Sequence, residues 1–167
     1  MTDRVRRWQG VTLSSLTLGY IGYYFCRSNL AVVSPLLVER YGETGVDQEK
    51  MGMIMSAGVL TYALGKLING TLADFVGGRR VFLWGMVGSV LATVLFGMGS
   101  GLSLFLAAWC INRFFQSGGW GALVKVASAW FSPLRMGTVM GILCLSYPIG
   151  DFSAKMVLGA FVRSGAN

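Results

Sequence analysis

The chain has 167 residues, 54% apolar and 13% charged, with a formal net charge of +7 and no histidine. Its charged share is about half that of a typical soluble domain. Together with a mean hydropathy of +0.61 and apolar residues gathered in long runs, this excludes an ordinary soluble fold and predicts a polytopic α-helical membrane protein. The basic residues cluster at the ends of those runs, which the positive-inside rule explains better than nucleic-acid binding.

Arg4, Arg6 and Arg7 precede the first apolar run and predict a cytoplasmic N-terminus, with Trp8 as an interfacial anchor. This basic start is like a signal n-region, but the run that follows is too long and has no small-residue cleavage site, so it reads as a retained span over 11–37. Within it, GYIGYYFCRSNLAVVSP carries Arg27 a little past the middle. A spanning helix needs roughly 20 apolar residues, and an arginine near its centre costs on the order of 3 kcal/mol. Arg27 is too deep to snorkel and should face a cavity where an anion can answer it. Its fork of donors suits a phosphate dianion or a carboxylate. Tyr20, Tyr24 and Arg27 fall near one helix face, which makes Tyr24 a candidate cavity residue. The loop after this span, VERYGETGVDQEK, has few Lys or Arg and suits the external side.

The second span is expected over 51–72, with Lys66 toward its cytoplasmic half, either binding or gating there or snorkelling to the inner headgroups. The turn ADFVGGRRV, with Asp74, Arg79 and Arg80, returns the chain inside. The third span is expected over 81–100, followed by an external turn at Gly99, Ser100 and Gly101. The fourth, 102–126, holds Arg113 and the glycines 118, 119 and 121, with Lys125 as a cytoplasmic anchor. Ser128 to Arg135 reads as an interfacial connector containing Pro133. The fifth span, 136–161, contains Pro148, Asp151 and Lys155. Asp151 and Lys155, spaced i, i+4, can neutralise one another. Asp151 is also the evident partner for Arg27 or Arg113, in an ion pair or a coupling role. Small residues recur at packing intervals, as in Gly97/Gly101, Gly118/Ala122 and Gly137/Gly141. Cys26, Cys110 and Cys144 lie inside apolar runs without metal-ligand spacing and read as buried free thiols.

The stretch Gly70-Thr-Leu72-Ala-Asp74-Phe-Val-Gly77-Gly-Arg79-Arg80 resembles the cytoplasmic loop signature of the major facilitator superfamily, with Phe75 where a basic residue usually follows the aspartate. Glycines let two helices turn tightly, the aspartate can meet a helix N-terminus or an arginine, and the basic pair anchors the turn. Arg113 opens a glycine-bearing stretch similar to the superfamily's fourth-span signature. Three further segments resemble the organophosphate:phosphate antiporters within it: Tyr23-Tyr24-Phe25-Cys26-Arg27-Ser28-Asn29, Gly65-Lys66-Leu67-Ile68-Asn69-Gly70 and Phe115-Gln116-Ser117-Gly118-Gly119-Trp120.

The resemblance implies an all-α membrane bundle whose five spans are part of an incomplete N-terminal six-helix half. It implies that Arg27 binds the substrate phosphate opposite an arginine from a C-terminal half, and that Lys66 has a binding or coupling role. Tyr147 stands where the best-known members have an assisting histidine, and Gly121 and Ala122 stand where prolines often follow. The expected activity is exchange of a sugar phosphate or glycerol phosphate for inorganic phosphate by alternating access in the cell (inner) membrane. Expected partners are a small anionic substrate, the bilayer and the C-terminal half, with no nucleic acid and no cofactor. Ion-coupled organic anion symport and sugar-phosphate sensing are the alternatives. No nucleophile–base pair or metal cluster suggests an enzyme.

Overall fold

Backbone in hydrocarbon must satisfy its own hydrogen bonds, and long apolar runs with only three prolines do so as helices. The computed structural model describes residues 3–165. It contains α1 (Asp3–Tyr41), α2 (Gln48–Val76), α3 (Gly78–Gly97), α4 (Leu102–Ser117), α5 (Gly119–Trp130) and α6 (Pro133–Gly165), with a 3-10 turn at Gly42–Thr44. No strand occurs among the described residues.

The stretches 11–37, 51–72 and 136–161 fall inside α1, α2 and α6. The stretch 102–126 is shared by α4 and α5, which are interrupted only at Gly118, whose backbone stays in the right-handed region (φ −76°, ψ −18°). Two expectations need correction. The third helix stops at Gly97, because the Gly99 N–H turns back to the Phe96 carbonyl at 3.1 Å. Ser128 to Arg135 is mostly helix: α5 continues to Trp130, and α6 opens on Pro133, where a missing N–H costs nothing.

Local chemistry marks the other ends. Asp47 Oδ1 accepts the Lys50 backbone N–H at 2.8 Å and caps α2, which holds the Asp47 carboxyl below the usual carboxylate range. Gly77 has φ +89°, a conformation that glycine adopts without a Cβ penalty, and it lets α3 start one residue after α2 ends. In α2 and α3, 18-residue windows reach mean hydropathies of 1.4 and 1.6, enough by length and composition to cross a bilayer.

In the bundle, α1 lies along α6, α4 lies between α2 and α3, and α5 bridges α3 and α1. One core gathers Tyr20, Tyr23, Phe82, Leu123 and Leu143, and a second gathers Leu30, Ile54, Phe96, Phe105 and Trp109. Of the small-residue pairs expected to pack, Gly118 and Ala122 do, but a Cβ on Gly97, Gly101, Gly137 or Gly141 would meet nothing within 4 Å. The close approaches are elsewhere. A Cβ on Gly58 would sit 2.3 Å from Trp109 Nε1, and one on Gly65 would sit 2.5 Å from Ser117 Oγ, so α2 and α4 touch nearly backbone to side chain.

At Gly85 the crowding includes backbone: an added Cβ would lie 2.7 Å from the Phe115 carbonyl oxygen and 2.3 Å from Tyr23 Oη. Gly85→Ala should therefore destabilise the bundle by about 1–3 kcal/mol. Gly97→Ala, in open space, should stay within about 0.5 kcal/mol of the parent. Melting temperatures of the two variants in detergent check this; equal melting temperatures would contradict the packing described.

Candidate functional site

On α2, Gly58, Tyr62, Gly65 and Asn69 recur every three or four residues and so share one stripe. The two glycines bring α4 close, and Asn69 Nδ2 donates to the Phe114 carbonyl at 3.0 Å and to Ser117 Oγ at 2.8 Å, tying the two helices. Tyr62 thereby stands opposite Arg113. The Arg113 Cζ lies 4.8 Å from the Tyr62 ring centroid and 5.6 Å from that of Trp109, one turn earlier on α4. From α1, the Arg27 Cζ lies 5.0 Å from the same Tyr62 centroid and 5.5 Å from that of Tyr24. Lys66, one turn along α2, brings its Nζ to 5.1 Å from Tyr62. Three cations from three helices thus share one phenol ring, each within cation–π range.

A cavity of about 360 Å³ opens beside this cluster, lined by Tyr24, Arg27, Arg113, Tyr147, Asp151 and Lys155, among others. Lys66 is not part of the lining and is exposed. The Tyr24 and Tyr147 rings meet edge-on with centroids 5.1 Å apart. A Cβ on Gly150 would lie 3.0 Å from Tyr24 Cβ, so α6 runs close to α1. That proximity lets Ser28 Oγ donate to Asp151 Oδ1 at 2.7 Å, while Lys155 Nζ meets Asp151 Oδ2 at 2.7 Å.

Charge in the cavity is consequently unbalanced. Among the described residues the ion pairs are Lys50–Asp47, Lys125–Asp74 and Lys155–Asp151. The one carboxylate of the lining is bonded to Lys155 and Ser28, and among the described residues neither arginine forms an ion pair. This corrects the expectation that Asp151 could pair with Arg27 or Arg113, whereas the i, i+4 pairing of Asp151 with Lys155 is formed. Tyr20 and Tyr23 belong to the core, where Tyr23 Oη donates to the Phe82 carbonyl at 2.7 Å.

The family profile described as Major Facilitator Superfamily matches residues 16–165. The chain belongs to the major facilitator superfamily. It is 27% identical over 155 residues to a "Probable hexose phosphate transport protein" of Chlamydia trachomatis, an alignment covering 93% of this chain and 33% of that protein. It is 26% identical over 159 residues to the "Membrane sensor protein UhpC" of Escherichia coli, covering 94% and 35%. It is 29% identical over 161 residues to the "Glycerol-3-phosphate transporter" of Haemophilus influenzae, covering 93% and 32%. The chain thus spans about a third of the length of the curated relatives it matches. No solved structure matches it.

In this superfamily member the last turn of α2, in which the sequence suggested a hydrophilic turn, is fastened to α5. The Asp74 carboxylate pairs with Lys125 Nζ, so the aspartate meets a lysine, where a helix N-terminus or an arginine was expected, and Lys125 is more than a headgroup anchor. Both side chains are well exposed, and such a pair contributes at most about 1 kcal/mol. Arg79 and Arg80 are exposed, with Arg80 Nη1 3.5 Å from the Val76 carbonyl, and Gly70 has open space around it. This cluster lies apart from the cavity, which none of these residues lines.

Sequence reasoning missed Tyr62 and Ser28. Tyr62 carried a usable signal: it precedes Lys66 by four residues, as Trp109 precedes Arg113, and each pairing stacks a ring under a cation on one helix face. Ser28 carried none, since its role depends on how α6 meets α1.

The Ser28–Asp151 bond predicts a measurable tie between these helices. Hydrogen bonds to charged groups contribute roughly 1.5–3 kcal/mol, and Asp151 remains about a third open to water, so Ser28→Ala should cost about 1 kcal/mol. Reversible unfolding in mixed detergent micelles reads this loss directly, and an unchanged midpoint would remove the tie from the account.

Proposed function

We propose that the chain forms the N-terminal part of a cell (inner) membrane antiporter that exchanges an organophosphate, such as a sugar phosphate or glycerol phosphate, for inorganic phosphate. The observation that carries this reading is the pair of arginines, Arg27 and Arg113, facing a cavity whose one carboxylate, Asp151, is already bonded to Lys155 and Ser28. Arg27 donates charge-assisted hydrogen bonds to the phosphate through its planar fork. Tyr24 and Tyr147, their rings edge to face with centroids 5.1 Å apart, offer hydroxyls to its oxygens or to the organic part. Lys66, 5.1 Å from the Tyr62 ring and outside the lining, adds positive potential or takes part in gating.

Alternating access follows from the same charge balance. An empty cavity holds like charges that repel in a low-dielectric setting, and a bound dianion removes that repulsion. The two halves then rock with cargo bound and resist rocking without it, which makes exchange obligatory. The α2–α3 junction carrying Gly70, Asp74, Gly77, Arg79 and Arg80 lies at the cytoplasmic surface, with a cytoplasmic N-terminus, and its Asp74–Lys125 pair helps set the gating equilibrium. Similarity to hexose phosphate and glycerol-3-phosphate transport proteins supports the cargo class.

One observation favours a second reading. Similarity to a membrane sensor protein is as extensive as similarity to the transporters, and a sensor would use the same cavity to bind a sugar phosphate without turning over. Carboxylate symport is less well supported, because Asp151, the carboxylate a coupled proton would need, is tied to Lys155 and Ser28.

Full-length protein in phosphate-loaded liposomes should take up labelled hexose phosphate or glycerol phosphate. Arg27→Lys, which keeps the charge but loses the fork, should lower that exchange at least tenfold. Saturable binding without exchange would select the sensor. Exchange that Arg27→Lys leaves intact would refute the role given to Arg27.

A further inference from the structure

Arg113 is the cation least accounted for by the fold. It is 8% exposed, and among the described residues it meets no carboxylate; its neighbours are two aromatic faces. Removing an ion from water costs several kcal/mol even after relaxation, whereas each desolvated cation–π contact returns about 2 kcal/mol. Arg27, on the same Tyr62 ring, adds repulsion. Beside Arg113, Trp109 Nε1 is buried without an acceptor among the described residues. A residue serving only to hold α4 would be expected to find a partner, and the candidate partner, Asp151, is already bound to Lys155 and Ser28.

We propose that Arg113 is a second phosphate-binding guanidinium, which closes from α4 on the same anion that Arg27 holds from α1. This rests on the phosphate reading of the cavity given above. The two Cζ atoms lie 5.0 and 4.8 Å from one ring centroid, so they are separated by at most about 10 Å, a gap that two long, flexible side chains can close on one tetrahedral anion. A phosphate monoester has three terminal oxygens and can accept from both forks at once. Two forks also favour a dianion over a monocarboxylate, which neutralises only half of the charge. Tyr62 is then a positioning residue: its ring face keeps both guanidiniums beside the cavity while no anion is present.

The test uses full-length protein and inorganic phosphate as the probe. In liposomes, Arg113→Lys should raise the half-saturating phosphate concentration for phosphate self-exchange at least tenfold. Since a buried arginine can also matter to folding, a structure of the unmutated full-length protein with saturating phosphate provides a second readout. It should bring an Arg113 nitrogen within hydrogen-bond distance of a phosphate oxygen. Phosphate held by Arg27 while Arg113 stays on Trp109, or an unchanged half-saturation in a folded Arg113→Lys variant, would overturn the role of Arg113 and leave that of Arg27 standing. Failure of the unmutated protein to bind phosphate at all would overturn both.

Discussion

Two guanidiniums and an ammonium gather on one phenol ring in this bundle. Cation–π attraction holds each of them near Tyr62, but it is too weak to offset both the desolvation of the buried Arg113 and the mutual repulsion of the cluster. A protein can carry such a cluster in a membrane only where water or an anion reaches it. The open cavity beside Arg27 and Arg113 meets that condition, and under the proposed function the feature that costs stability would also be the one that selects a negatively charged cargo.

The surrounding helices are arranged to bear that cost. Glycines on α2 bring α4 close enough for Trp109 and Asn69 to lock the pair, and the Ser28–Asp151 bond fixes α6 against α1. A buried amide ladder stiffens the other side of α4. There, Asn112 Nδ2 donates to the Ser89 carbonyl at 3.0 Å and to Thr93 Oγ1 at 2.9 Å, and Gln116 Nε2 donates to Asn112 Oδ1 at 2.7 Å. Polar bonds between helices, each modest in magnitude, tie α2 to α4, α4 to α3 and α1 to α6.

Much of this was legible in the sequence, for identifiable reasons. Apolar runs in hydrocarbon have few alternatives to helix, so the elements followed from composition. The family followed from the Gly70–Arg80 loop and the segment around Arg27. Arg27 itself stood out because a lone charge in mid-span demands a use. What remained hidden depends on contacts between distant segments. Spacing along α6 exposed the Asp151–Lys155 pair, but nothing in the sequence said that Ser28 would take the other carboxylate oxygen and leave Arg113 unpaired. Glycine spacing alone misled: Gly97, Gly101, Gly137 and Gly141 have the right interval but face open space, while Gly58, Gly65 and Gly85 sit at the real contacts. Periodicity reports a face, and only the fold decides what that face meets.

We propose that unmatched positive charge in this cavity makes it an anion site. The most direct test is the melting temperature of purified full-length protein titrated with inorganic phosphate, a phosphorylated sugar and the corresponding neutral sugar. A ligand that binds the native state raises stability by RT ln(1 + [L]/Kd), about 2.7 kcal/mol at a hundredfold excess over Kd. Phosphate and the sugar phosphate should each raise the melting temperature saturably, and the neutral sugar should leave it unchanged. Stabilisation by the neutral sugar equal to that by its phosphate, or none by either anion, would contradict the account.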